Sequence, residues 1–359
     1  MKTFFEKYPL EENVIAAGVS GGADSLALVL RLKEWADEND KKVVALTVNH
    51  HLRPESTSEA LYVAQLMNKF GIEHHILSWE GEKPQTGIEE AAREARYALL
   101  KSWCDEHKVG VLATGHHLRD QAETFLLRLI RGSGVSGLSG ILPVSYRWGI
   151  KIVRPQLFDK PEFLKDYLSA RNIVWVEDAS NQNEDFLRVK IRHFLPLLSQ
   201  NIGLSEERLA ATAAIMERTR SFLEAEVQKF LSHSCKLWAN LAYSFSLKQF
   251  LQLHEEMQYQ VLSYLLKTIG NKSYVPEASE VLRLCSVMHE LSFKGATLSG
   301  CEIIFFQNKI WIIPERKNSL KITKKNWDDF LEKFPLYRKY TLPYKFRCIL
   351  FADFFIKHS

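Results

Sequence analysis

The sequence predicts an α/β fold, a parallel sheet wrapped by helices, followed by a mainly helical region that carries a β-hairpin. Short β-branched runs predict the first part. NVIAAGV, KVVALTVNH, EHHILSW, VGVLATGHH and KIVRP alternate with helix-length amphipathic segments at 25–39, 56–70, 87–108 and 119–131. Parallel neighbours need crossover connections, so this alternation favours a parallel sheet, whose ligands gather beyond the carboxyl ends of its strands. The second part shows itself after Pro196. Helical spacing takes over at 205–231, around 246–268 and at 276–290, and ATLSGCEIIFFQNKIWIIPE then alternates like a hairpin with Gln307-Asn308 at its turn.

The chain has 359 residues, more than one hydrophobic core usually serves, and two or three domains are expected. The boundaries fall at 1–205, 206–315 and 316–359. With 46% hydrophobic and 25% charged residues the composition is that of an ordinary soluble protein. The most apolar stretch, residues 14–32, is interrupted by Asp24 and falls short of the ~20 clean residues of a membrane span. The amino terminus lacks the basic-then-apolar order of a secretory signal. Five scattered cysteines without a Cys-x-x-Cys argue against a disulfide framework and a structural zinc site. A reducing cytoplasm and no membrane partner are expected.

The first strand leads into SGGADS and then a helix. Gly21 and Gly22 let backbone N–H groups approach an anion, Ser20 and Ser25 add hydroxyl donors, and the start of a helix that runs from Ser25 onward carries partial positive charge. A phosphate cradle and a plain strand-to-helix turn with Ser25 or Asp24 as cap both fit these letters. Neither Gly-x-x-x-x-Gly-Lys-Ser/Thr nor Gly-x-Gly-x-x-Gly is present.

The second constellation is ATGHHLRDQAETFLLRLIRGSGVSGL, residues 113–138. A helix from Leu118 puts Asp120 and Glu123 on one face, with His117 in reach, and makes Leu126, Leu129 and Ile130 a buried stripe. The carboxylates serve chemistry or simply the helix dipole. The paired histidines lack a nearby third ligand for zinc. Arg128, Arg131 and the glycine-rich loop offer phosphate contacts or a mobile crossover.

SGGADS resembles the Ser-Gly-Gly-x-Asp-Ser motif of the PP-loop ATP pyrophosphatases, a Rossmann-like superfamily that grips the pyrophosphate of ATP and adenylates its substrate. GHHLRDQAET with RGSG, VNHHLRPES, RPQLFDKPEFLKDY and VEDASNQNEDFLRVKIRHFLP narrow the resemblance to the tRNA(Ile)-lysidine synthases. That resemblance implies ATP and Mg²⁺ as cofactors, with Ser20, Gly21, Gly22, Ala23, Asp24 and Ser25 around the phosphates and His50 and Arg53 near the adenosine. Asp24 would hold Mg²⁺ or the catalytic geometry. The partners implied are L-lysine and tRNA(Ile) with a CAU anticodon, whose wobble cytidine is adenylated and then attacked by the lysine amine. Asp120 and Glu123 would recognise and deprotonate lysine, Arg188 and Arg192 would stabilise phosphate charge, and His117 would orient. Residues 1–205 become the catalytic domain and 206–315 the tRNA-binding domain. The oligomeric state, homodimer or otherwise, is not written in these motifs.

Two features depart from the family pattern. Val189 stands where an asparagine is usual, and residues 316–359 look like a linker plus the start of a longer subdomain. From Arg316 to Arg347 ten Lys or Arg face three Asp or Glu, interleaved with Trp327, Phe330, Phe334, Tyr337, Tyr340 and Tyr344. These rings either stack on RNA bases or belong to a core. Two rival functions share the loop: a PP-loop tRNA thiolase, which calls for sulfur-transfer cysteines, and a non-catalytic ATP-sensing tRNA-binding protein.

Overall fold

The computed structural model describes residues 1–84, 86–177, 187–272, 275–315 and 322–358. The Asp178-Ala179-Ser180-Asn181 motif, Arg316, Lys317 and Lys321 lie outside the described residues. The chain divides into two compact units, Met1–Arg220 and Ser221–Ser359.

Unit 1 runs α1 (Lys2–Lys7), β1 (Val14–Gly18), α2 (Ala23–Glu38), β2 (Lys42–Asn49), α3 (Ser56–Lys69), β3 (Glu73–Ser78), α4 (Ile88–Glu106), β4 (Val111–Ala113), α5 (Leu118–Ile130), α6 (Val135–Leu138), β5 (Val144–Arg147), β6 (Ile150–Val153), α7 (Pro161–Ser169), α8 (Leu187–Ile202) and the first half of α9 (Glu206–Ser234). Its sheet has the order β3-β2-β1-β4-β6-β5. The first five are parallel, with Ala17 opposite Ala45 on one side and Ala113 on the other. The five strands expected from the sequence are these five. The edge strand β5, antiparallel to β6, escaped notice because four residues are too few to show a period.

β1 is apolar on both faces, as a central parallel strand must be. Ile15 and Ala17 join the core beneath α2, while Ala16 joins the opposite core with Leu100 and Trp103 of α4. Helix α2 is buried nearly all round, since Leu164 and Leu168 of α7 cover the side the sheet leaves open.

Unit 2 takes the second half of α9 and continues β7 (Cys235–Trp238), β8 (Ala242–Ser246), α10 (Leu247–Leu251), α11 (Glu255–Ile269), α12 (Ala278–Met288), β9 (Gly295–Leu298), β10 (Cys301–Phe306), β11 (Lys309–Pro314), α13 (Lys324–Lys333), a 3₁₀ turn at Pro335–Lys339 and α14 (Tyr344–His358). Its antiparallel sheet has the order β7-β8-β11-β10-β9. The expected hairpin is β10–β11, with Gln307 and Asn308 both left-handed, at φ 49° and 60°. Ile310 and Ile312 face one core with α11 and α12, whereas Trp311 and Ile313 face another with Phe330 and Phe346. The carboxyl-terminal rings therefore act mostly as core. Trp327, Phe334, Tyr337 and Tyr340 pack around Phe330 and Trp238, while Tyr344 stays exposed.

Candidate active site

The turn after β1 is shaped by its own small residues. Gly21 sits at φ +88°, and a Cβ there would lie 3.2 Å from Val63. The Gly21 carbonyl accepts from the Val176 amide at 2.9 Å, tying the turn to the segment after α7. Ser25, a hydroxyl donor in the sequence reading, is engaged within the turn itself. It donates to the Gly22 carbonyl at 3.0 Å and accepts from the Ser20 amide at 3.1 Å, locking the turn. Helix α2 makes its first backward bond from Leu26 to Gly22, at 3.1 Å, so the amides of its first turn have no intrahelical partner.

The start of α5 comes alongside through close packing. A Cβ on Gly115 would lie 3.1 Å from the Asp24 carbonyl, so only glycine lets the β4–α5 loop approach α2 this closely. The Gln156 amide also holds that carbonyl, at 2.7 Å. His117 caps α5. Its amide donates to Asp120 at 3.1 Å, and its Nδ1 accepts from the Asp120 amide at 3.3 Å. With Nδ1 so engaged, Nε2 faces Asp24 Oδ2 at 3.4 Å.

Behind this corner lies a charge cluster. Glu123 has a side chain 0% exposed, and its oxygens accept from Arg188 Nε at 2.6 Å and Arg192 Nε at 2.7 Å. Arg188 also reaches Asp120 at 2.9 Å. Both arginines come from α8, which packs on α5 through Ile191 and Leu195 against Ala122 and Phe125. Val189, at the position where the family pattern has an amide, is also buried. The apolar buried residues of α5 are thus Leu118, Ala122 and Phe125, with Leu126 partly buried against the same core, and the expected stripe is corrected at its end, where Leu129 and Ile130 are 50% and 62% exposed. Arg128 turns back to donate to the Gly137 and Gly140 carbonyls at 2.6 and 2.7 Å, tying the glycine-rich loop to the end of α5.

Burial pulls the His117 pKa down, but its hydrogen bond to Asp24 and the charges of Asp120 and Glu123 outweigh that and raise it. Burial would raise Asp120, yet His117, His116, Arg188 and the His117 amide hold it below the usual carboxylate range. His116, buried beside Arg154, Arg188 and Arg93, falls to about 4 despite the pull of Asp120.

These groups open on a cleft of about 510 Å³ beyond the carboxyl ends of β1 and β4. Ser20, Gly22, Ala23, Asp24, Arg53, His117, Asp120 and Arg192 line it. Arg53 also pairs with Glu59 at 3.2 Å. His50 stands apart. Both its ring nitrogens are buried without a partner in the described residues, it meets Trp79 edge-on at 5.8 Å, and burial with the charges of Arg96 and Lys83 lowers its pKa to about 4. The sequence reading missed Glu59, Arg96, Arg119, Lys165, Trp175 and Glu177, all of which line the cleft. Arg119 sits inside the quoted GHHLRDQAET and bonds Glu162 and Glu206, both at 2.6 Å. The others come from α3, α4, α7 and the segment after it, and no local spacing links them.

The described residues hold no cluster of three metal-ligating side chains. A single carboxylate, Asp24, at the mouth of a cradle of amides suits a cation that keeps most of its ligands from water and phosphate, the habit of Mg²⁺. No described helix is long and apolar enough to cross a membrane.

Residues 1–198 match the family described as a PP-loop domain. The tRNA(Ile)-lysidine synthase of Wolbachia pipientis wMel is 38% identical over 315 residues, covering 87% of this chain and 73% of that protein. Its counterpart in Orientia tsutsugamushi is 34% identical, over 81% of this chain and 67% of that protein. Among solved structures, the U34-tRNA thiolase NcsA from Methanococcus maripaludis, with its [4Fe-4S] cluster, shares the fold at a TM-score of 0.51 and 18% identity, over 60% of this chain and 77% of that one.

Proposed function

Because the chain belongs to the tRNA(Ile)-lysidine synthase family, ATP-using ligases of the PP-loop class, we propose that it joins L-lysine to C2 of the wobble cytidine in CAU-anticodon tRNA(Ile). In this reading the oxygen on C2 attacks the α-phosphorus of ATP and diphosphate leaves. The ε-amine of lysine, having lost its proton, then attacks C2, and AMP departs with that oxygen.

The observation that carries this reading is the meeting of unpaired first-turn amides of α2 with Asp24, His117, Asp120 and Arg192 around one cleft. The amides would take the departing diphosphate. Asp24 would hold Mg²⁺, which supplies charge neutralisation of the phosphates. Arg192 and Arg188 would stabilise charge on the α-phosphate, and Glu123 and Asp120 fix their guanidiniums in place. Glu123 therefore acts through the arginines it holds. Asp120, kept anionic, is suited to bind the lysine ammonium rather than to take its proton. His117 orients Asp24. We assign catalysis to residues 1–205, tRNA binding to 206–315 and an accessory basic segment to 316–359.

The thiolase alternative has little support from the cysteines. Burial pushes the thiols of Cys104 and Cys285 up to about 11, and those of Cys235 and Cys301 up to about 12, away from the reactive thiolate that sulfur transfer uses. The test is turnover. Sustained diphosphate release should require ATP, L-lysine and CAU-anticodon tRNA together, with AMP appearing in step with lysidine, and without lysine it should stop after one adenylation per enzyme. RNA binding without AMP would leave the non-catalytic reading in its place.

A further inference from the structure

The β5–β6 hairpin has no part in the chemistry above, yet its tip is built at a cost. Tyr146 is 74% exposed and Trp148 46%. Trp148 sits at φ +53° and Gly149 at φ +84°, the left-handed pair of a two-residue hairpin turn. Asparagine or glycine is usual at the first of these positions, and a bulky ring there is strained. The ring is held in a cationic setting. The Arg147 guanidinium lies 4.1 Å from its centroid and 5.6 Å from that of Tyr97, and Arg93 lies 5.4 Å from Tyr97. Arg154 anchors the hairpin from beneath, donating to the Leu142 carbonyl at 2.7 Å and to Ser145 at 3.0 Å. Helix α4 links the ledge to the cleft. Arg93 is one helical turn from Arg96, which lines the cleft, and the charges of Arg93 and Arg154 both act on His116.

We propose that this ledge receives the anticodon loop of the substrate RNA: an unpaired base stacks on Trp148, and Arg147 and Arg93 neutralise the adjoining phosphates. The proposal rests on the tRNA reading above and names the surface that reading requires. Exposed flat rings interleaved with guanidiniums match unpaired bases and their phosphates, since every base offers a π-face. A protein partner would be better served by aliphatic surface, which the tip lacks.

Binding of an anticodon stem-loop RNA bearing CAU to the full chain, at one fixed salt concentration, tests this. Glycine accepts the turn's φ, so Trp148→Gly keeps the hairpin and should show no lower Tm and unchanged ATP affinity in the absence of RNA. It should bind the stem-loop about tenfold more weakly, the scale of one lost stacking contact. Trp148→Phe should recover most of that loss. If the parent chain turns over on the RNA and Trp148→Gly binds it as tightly, the ledge is wrong and the function stands. If the parent chain does not bind the RNA at all, the functional reading fails and the ledge with it.

Discussion

The two sheets are alike in burial and opposite in use. In each, alternate residues of a central strand enter different cores, Ala16 against Ala17 in β1 and Trp311 against Ile312 in β11. At the parallel sheet, polar groups gather around one cleft. Its five parallel strands end at the same edge, so the turns after β1 and β4 meet, whereas antiparallel strands send successive turns to opposite ends. A buried sheet is thus not enough for a site. Direction of the strands, with glycines that let the loops close together, makes one.

The contrast breaks most sharply at Asp24. Asp24→Ala should lower adenylation by roughly a thousandfold, read as diphosphate release, since phosphoryl chemistry depends almost entirely on electrostatic placement. Glu123→Gln should follow, with kcat lowered about a hundredfold and ATP affinity little changed, because the arginines remain but lose their fixed geometry. A wholly unaffected kcat would return Glu123 to a structural part. The converse holds in unit 2. Ile312→Ala, at a side chain fully buried in the antiparallel sheet, should cost about 2–5 kcal/mol in unfolding experiments while ATP affinity stays the same.

The smallest effect is in pH. The folded pKa of His116 lies near 4, below its ordinary value of 6.5, so the unfolded chain binds the extra proton between them. Its contribution to stability is fully present above about pH 6.5 and is lost as pH falls toward 4. His50 and His74 are lowered to about 4 and act in the same direction. His117 is raised and acts oppositely, its contribution present at low pH and lost as pH rises through the folded pKa. Tm should therefore fall on acidification through this window, and His116→Gln should make the fall shallower. An equally steep fall in that variant would remove His116 from the account.

Much of this was legible in the letters, for local reasons. SGGADS and GHHLRDQAET each place their polar atoms within one turn, so spacing alone brings Asp24 to a helix start and His117 beside Asp120. Arg96, Lys165 and Trp175 reach the cleft only through the packing of helices around the sheet, which no window of sequence displays. Glu123 was visible as a residue but its partners were not. Its ion pairs with Arg188 and Arg192 of α8 support the proposed part as a buried anchor rather than the base expected from the sequence. The β5 edge was too short to read, and the left-handed Trp148 became apparent only with its backbone angle.

A crystal structure of the full chain with ATP and magnesium would test the central claim most directly. The account predicts the β- and γ-phosphates within about 2.7–3.2 Å of main-chain N–H groups between Gly21 and Ser25, with Asp24 turned toward the cation. A nucleotide seated elsewhere, with those amides left to water, would contradict it.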